Sequence, residues 1–402
     1  MRKILLYISG ALALLLILFL FGLLLTKSKF KAESGMVIAG YSEEAGGMVF
    51  FQHPTYTLEG SDGPYIIGDS IVQVLPKGEV EKVAFRQNQS LVIRPVTPSI
   101  PEFSVKPNST PARSISEDEM PPKLLAVSDV EGNLTAFVGL LETHGVIDAQ
   151  LNWTFGSNEL ITVGDFMDRG DDVTAVLWLV QKLEQEAAAQ GGRVTFVLGN
   201  HESMNLRGNW KYTEPKYKAL AERLEMNAEP EVAYRAFLSN QTHFGRWLRA
   251  QPTMVRRGKY VFVHGGMHPD IADLGLSLAQ INETVSRNLG SNLYQEPGPD
   301  KVANFLMGPL GPLWYRGLVK DYEGEGKLES RQLNRILNGF NAARVVIGHS
   351  IVEEVSTDYN GRVIRIDVEH DSSLNSAKTQ GLLIENGQPF RIDAAGGKSP
   401  LE

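Results

Sequence analysis

The chain has 402 residues, of which 43% are hydrophobic and 21% charged, with a net charge of −8. That length accommodates one large α/β domain with a smaller companion, or two to three small domains. Cysteine is absent, which excludes disulfides, thiolate metal sites and a cysteine nucleophile, and leaves His, Asp, Glu and Asn to hold any metal.

Charge is unevenly spread from the start. The first 31 residues contain five basic residues (Arg2, Lys3, Lys27, Lys29, Lys31) and no acid, so the remainder carries 34 basic against 47 acidic residues, a net −13. Such a body repels polyanions over most of its surface, which argues against nucleic acid as a partner. Ile4 to Thr26 is a run of 23 uncharged positions dominated by leucine. As a helix it would span roughly 34 Å against about 30 Å of hydrocarbon, which predicts a single-pass membrane anchor in residues 1–31. A cleavable signal peptide is the rival, but Leu23 to Lys29 offers no small-residue cleavage site. Both flanks are basic; a short basic amino terminus before a long soluble body favours an extracytoplasmic, periplasmic placement of that body.

Residues 35–95 predict a small β-rich module. Its strands are expected at Met36 to Tyr41, Gly47 to Gln52, Tyr65 to Val74, Val80 to Arg86 and Ser90 to Arg94, with Gly, Asp and Asn marking the turns. From 96 to 121 the composition turns to Pro and Ser, which disfavours helix and central strand and predicts a linker or an extended strap.

From 122 to 395 the pattern is strand, turn, helix. Lys123 to Val127 runs into Ser128-Asp129-Val130-Glu131-Gly132-Asn133 and a helix from Leu134 to His144. Glu159 to Val163 runs into Gly164-Asp165-Phe166-Met167-Asp168-Arg169-Gly170 and a helix from Asp172 to Gln190. Arg193 to Leu198 runs into Gly199-Asn200-His201-Glu202. A largely helical insertion follows, from about Glu214 to Gln251, with the expected task of walling a cleft. Tyr260 to Val263 then leads to His264, and Ala343 to Ile347 leads to His349; Arg362 to Val368 and Gly381 to Glu385 complete the strands.

An Asp-rich, Gly-flanked turn after a strand is by itself most often a solvated turn. Here five apolar strands end in polar turns, carrying Asp129 with Glu131, Asp165 with Asp168 and Arg169, Asn200 with His201, His264, and His349. Ligands of open α/β sheets gather where strands end, so the five turns can converge on one crevice. The other histidines (His53, His144, His243, His268, His370) lack that setting and are expected at the surface or in structural roles.

In this order, Asp129 to Gly132, Gly164 to Gly170, Gly199 to Glu202, His264 to Gly266 and Gly348-His349 resemble the motifs of the calcineurin-like metallophosphoesterase superfamily, and within it the phosphoprotein phosphatase family. Gly311 to Gly317 is similar to the stretch by which the Shewanella-type, bacterial-like phosphatases supply a second arginine. The resemblance implies an α/β fold, a β-sandwich flanked by helices. It also implies a two-metal phosphatase in which Asp165 bridges two divalent ions, with Mn²⁺ expected and Fe, Zn or Mg as alternatives. One ion would take Asp129, Glu131 and Asp165; the other Asp165, Asn200, His264 and His349. A metal-bridging hydroxide would attack phosphorus, with Arg169, Arg316 and Asn200 on the phosphate, His201 as the acid on the leaving oxygen and Asp168 orienting it. The chain departs from the family at Glu131, where the family has a metal-binding histidine. A carboxylate there favours harder ions such as Mn²⁺ or Mg²⁺, or weakens that site.

The expected substrate is a phosphoprotein, carrying phosphotyrosine or phosphoserine/threonine. The alternatives are a small phosphoester or dinucleoside polyphosphate hydrolase and, in another class, a degenerate phosphate-binding sensor at the membrane. A metal-dependent nuclease fits poorly with the acidic body and the paired arginines.

Overall fold

The computed structural model of the chain describes residues 2–31, 37–42, 46–52, 60–107, 115–224, 230–322, 324 and 326–402. The expected Met36 and His53 lie outside the described residues. The chain divides into two compact units, with the boundary between Thr57 and Leu58. The strands expected as one module between 35 and 95 are therefore split between the two units.

The first unit contains a helix, Arg2–Leu25, of 24 residues. Leu12, Leu14, Leu15, Leu16 and Leu18 are each more than half exposed. Among the described residues, no helix is long and apolar enough to cross a membrane. A three-stranded antiparallel sheet follows, made of Lys29–Lys31, Val37–Ser42 and Gly47–Gln52.

In the second unit, two six-stranded sheets share one core. The first has the order Arg193–Val197, Glu159–Val163, Lys123–Val127, Gln380–Glu385, Gln388–Asp393, Lys398–Pro400. Its first three strands are parallel, and the hairpin 380–393 adds antiparallel. The second sheet has the order Ser356–Asp358, Val363–Arg365, Arg344–Ile347, Tyr260–Val263, Met254–Arg257, Glu117–Asp118. Strand alternation explains the sandwich. Leu124 and Ala126, Ile161 and Val163, and Leu382 and Ile384 point one way, into the same buried cluster as Val255, Tyr260, Phe262, Val346, Ile364 and Ile366. The opposite face of the first sheet packs on helices Leu134–Thr143 and Val173–Ala189, with the rings of Phe137, Phe166 and Phe196 in edge contact.

The run expected as one strand from Tyr65 to Val74 is a hairpin, Asp62–Ile67 with Ser70–Val74. The apolar run breaks at Gly68-Asp69, a two-residue turn in which Gly68 has a φ of +60°, and that pair marks the reversal. With Val80–Ala84 the hairpin forms a sheet resting on helix Val173–Ala189: Tyr65 Oη lies 2.7 Å from Thr174 Oγ1, and Trp178 Nε1–H donates to the Pro64 carbonyl at 2.8 Å. The Pro-rich segment is a strap where it is described. The Val96 and Thr97 amides and the Thr97 hydroxyl all donate to the Asp172 carboxylate, at 2.6, 3.1 and 2.5 Å. Downstream, Glu117–Asp118 pairs with the strand Met254–Arg257.

Candidate active site

The strand ends converge. Asp129 follows Val127, Asp165 follows Val163, Asn200 opens a helix just past Val197, His264 follows Val263, and His349 lies two residues beyond Ile347. The first two turns are joined by backbone bonds from Asp129, Glu131 and Gly132 amides to the carbonyls of Gly164, Asp165 and Phe166, at 2.9, 2.9 and 3.0 Å. Such support is needed because Asp129, Glu131, Asp165, Asp168, Arg169 and His349 all have positive φ. A side chain in that region costs of order 1 kcal/mol and persists only where its surroundings impose it. Gly164, at φ +80°, allows the close approach: a Cβ there would sit 2.5 Å from His264 Nδ1.

Around Asp165 several metal-ligand atoms meet. His264 Nδ1 is 2.9 Å from the Val163 carbonyl, which can only accept, so the ring proton is placed there. That leaves Nε2 facing Asp165 Oδ2 at 3.0 Å and Asn200 Oδ1 at 2.9 Å. Burial disfavours charge on this imidazole, but the carboxylates of Asp165 and Asp129 outweigh it and lift its pKa to about 9. The same cluster holds the Asp165 carboxyl below the usual range: burial opposes ionisation, but His264 and His201 prevail. His349 is placed likewise. Its Nε2 lies 3.0 Å from the Trp314 carbonyl, freeing Nδ1, and burial with the neighbouring His264 and Arg316 keeps this ring neutral. Ligand atoms of Asp165, His264 and His349 all lie within 4.8 Å of one another, as do those of Glu131, Asp165 and His201. Once His264 gives up its Nε2 proton, the two imidazoles present lone pairs beside the Asp165 carboxylate with their remaining ring protons turned away, the arrangement a divalent cation requires. The donor set of carboxylate, imidazole and amide oxygen therefore fits two such ions.

Asp129 lies beside Asp367, and its carboxyl is pushed well up by burial and then by that neighbour; Asp129 Oδ2 also accepts from the His349 amide at 3.1 Å. The acid pair is equally explicit. His201 Nδ1 sits 2.6 Å from Asp168 Oδ2, and Asp168 Oδ1 accepts from Thr213 Oγ1 at 2.6 Å. Burial opposes the imidazolium, yet Asp165 and Asp168 raise the His201 pKa above its ordinary value. Both arginines line the open cavity over this cluster, which has a volume of about 790 Å³. Arg169 forms an ion pair with Glu131 and lies 5.2 Å over the Tyr212 ring. Arg316 donates to the His349 carbonyl, to Ser350 Oγ at 3.2 Å and to His349 Nδ1 at 3.3 Å. Asn200 is brought to His264 rather than to the cavity wall, so its carbonyl oxygen faces the ligand cluster and not the space over the arginines.

One expectation about the surroundings is corrected. The insertion, seen as helices Pro215–Leu224, Pro230–Phe237 and His243–Arg249, contributes none of its described residues to the cavity lining. Tyr217, Tyr234 and Phe237 instead line a small apolar void of about 30 Å³ behind Asp168. The cleft wall is Asp367 to His370 with Ser372, and Thr97 of the strap. His370, expected at the surface or in a structural role, is part of that wall: its Nε2 donates to the Ser128 carbonyl at 2.8 Å and its Nδ1 is buried without a partner.

Sequence reasoning also passed over Glu202 and Asp367. The Glu202 carboxylate accepts from the amides of Gly199, Asp165, Phe166 and Met167 at 2.7, 3.0, 2.8 and 3.1 Å, and so holds the Asp165 turn to the Asn200 turn. It stood inside a quoted motif without a role. Asp367 was hidden inside an expected strand, Arg362 to Val368, that ends at Arg365; ending the strand earlier would have shown a sixth polar turn.

The family profile described as calcineurin-like phosphoesterase matches residues 122–353. Shewanella-like protein phosphatase 2 of Arabidopsis thaliana is 27% identical over 312 residues, covering 68% of this chain and 78% of its own. An uncharacterized protein of Schizosaccharomyces pombe is 28% identical over 256 residues, covering 61% and 73%. Among solved structures, the cold-active protein-tyrosine phosphatase of a psychrophilic Shewanella species superposes with a TM-score of 0.73 at 28% identity, covering 85% of this chain and 99% of its own. A profile that spans more than half of the sequence, over the strand ends just described, places the chain in the calcineurin-like phosphoesterase family, which uses divalent metal ions, as a phosphatase hydrolase.

Proposed function

We propose that this phosphatase removes phosphate from phosphoproteins, at phosphotyrosine or phosphoserine/threonine, with two divalent ions, Mn²⁺ foremost, held by Asp129, Glu131, Asp165, Asn200, His264 and His349. The observation that carries this reading is the contact of His264 Nε2 with Asp165 Oδ2 and Asn200 Oδ1, three ligand atoms turned toward one point, beside a separate His201–Asp168 pair. The ions, when bound, supply Lewis acidity toward the phosphoryl group and lower the pKa of water. Arg169 and Arg316 grip the equatorial phosphate oxygens through planar guanidinium forks. With its Nδ1–H committed to Asp168, His201 presents Nε2 to the leaving oxygen and delivers a proton there. The likeness to protein phosphatases, one of them described as a protein-tyrosine phosphatase, supports the phosphoprotein substrate.

The test is Mn²⁺-dependent turnover of an aryl phosphate and of phosphopeptides, lost in Asp165→Asn. Absence of turnover with Mn²⁺, Mg²⁺, Fe²⁺ and Co²⁺ alike would leave a phosphate-binding sensor instead. Mononucleotides and dinucleoside polyphosphates assayed alongside separate the small-substrate alternative.

We also propose, from the sequence pattern alone, that the protein is held at a membrane through the uncharged run Ile4 to Thr26 with the catalytic body outside the cytoplasm, in keeping with the short basic amino terminus. Reporter fusions after residues 31 and 402 check this; cytoplasmic reporter activity at both positions would overturn it.

A further inference from the structure

Glu131 has two claims on its carboxylate. It forms an ion pair with Arg169, and its ligand atom also lies within 4.8 Å of those of Asp165 and His201. The pair is built in, because Glu131 and Arg169 stand on the two turns that are zipped together: the Glu131 amide bonds the Asp165 carbonyl at 2.9 Å, and the Gly170 amide bonds the Glu131 carbonyl at 2.8 Å. Arg169 is oriented besides by its amide bond to the Tyr212 carbonyl at 3.0 Å and by the Tyr212 ring beneath its guanidinium. A guanidinium paired with a carboxylate has fewer N–H groups free for phosphate, since both anions use the same fork. The arrangement repeats across the cleft, where Arg316 donates to Nδ1 of His349, the nitrogen left free by the Trp314 contact. Each arginine of the clamp is thus held by a residue of the ligand cluster.

We propose that Glu131 is a latch on Arg169: engaged by a divalent ion it releases the arginine to phosphate, and otherwise it holds the arginine away. A histidine at 131, neutral or cationic, cannot form that pair, so the carboxylate makes the phosphate grip of this chain conditional on its metal. The inference rests on the metal-ligand reading above, and its readout is equilibrium binding, which does not depend on turnover.

The experiment is calorimetric titration of the full chain in detergent with inorganic phosphate, for wild type, Glu131→Gln, Arg169→Ala and the double variant, each stripped of metal and again with saturating Mn²⁺. The pair is partly exposed, with side chains 50% and 21% accessible, so its loss is worth about fivefold in affinity. Stripped Glu131→Gln is expected to bind phosphate about fivefold more tightly than stripped wild type. The gain should vanish in the Arg169→Ala background and in Mn²⁺. Equal affinities in the stripped state overturn the latch. So does an undiminished gain without Arg169, which would mean plain charge repulsion, or a gain that Mn²⁺ leaves unchanged. Should Glu131→Gln lose its circular-dichroism melting transition, Glu131→Asp, which shortens the reach to Arg169, is titrated in its place with the same expectations.

Discussion

Replacing Asp168 with Asn isolates the acid from the rest of the site. Asp168 is 2% exposed, accepts from His201 Nδ1 at 2.6 Å and from Thr213 Oγ1 at 2.6 Å. Asn keeps the shape and one acceptor oxygen, but the bond to His201 becomes neutral. A charged bond contributes roughly 1.5–3 kcal/mol against 0.5–1.5 for a neutral one, so the imidazolium loses about 1–1.5 kcal/mol. At pH above the His201 pKa that is about a tenfold loss of the proton-donating form. The loss should fall on substrates that need the proton. On the alkaline limb, kcat with a phosphoseryl peptide, whose leaving alkoxide is poor, should drop about tenfold; with nitrophenyl phosphate, whose leaving group departs unaided, it should drop less than about threefold. The sign of the pH effect follows from the raised His201 pKa. The protonated form is active below that pKa and activity declines as pH rises through it, so the alkaline limb of the phosphoseryl profile should move to lower pH in Asp168→Asn. Equal losses on the two substrates, or an unmoved alkaline limb, would refute the assignment of His201 as the acid.

Glu202→Ala should strand four buried amides and lower stability by at least about 3 kcal/mol, seen as a fall in Tm; a loss under about 1 kcal/mol would contradict the cradle role. Asp172→Ala should free the strap at a cost of about 1–3 kcal/mol, and hydrogen exchange at the Val96 and Thr97 amides should accelerate while the strand Lys123–Val127 stays protected. His264 is protonated below about 9, and that proton competes with a metal. Mn²⁺ affinity measured by calorimetry should therefore rise with pH until about 9 and then level, with proton uptake by the buffer; a pH-independent affinity would show that His264 is not a ligand.

Much of this molecule was legible before any coordinates. Lys123 to Val127, Glu159 to Val163 and Tyr260 to Val263 are found as strands over those residues, because a short apolar run closed by Gly and Asp has few other conformations open to it. The order of the motifs specified the family, since each motif is a local stretch whose residue types are dictated by what must stand at a strand end. Less was legible where the deciding contact is distant in sequence. Tyr65 to Val74 is broken by Gly68-Asp69, a two-residue turn signal that marks the hairpin in the sequence, but its packing on Trp178 and Thr174 is known only from the structure. The helical insertion looked like a cleft wall because of its length, whereas the wall comes from 367–372, a segment with no motif of its own.

Sequence by itself therefore determined which residue types stand at the strand ends, because ligand type, charge and the turns that present them are local properties. Tertiary structure alone decided how those residues are engaged. It turns the ring proton of His264 to Val163 and that of His349 to Trp314, sets the Glu202 carboxylate beneath four amides, and pairs Glu131 with Arg169. Each of these depends on the distance between atoms brought together from separate turns, one of them, His264 with Val163, from strand ends 101 residues apart, and a hydrogen bond or ion pair exists only within that distance.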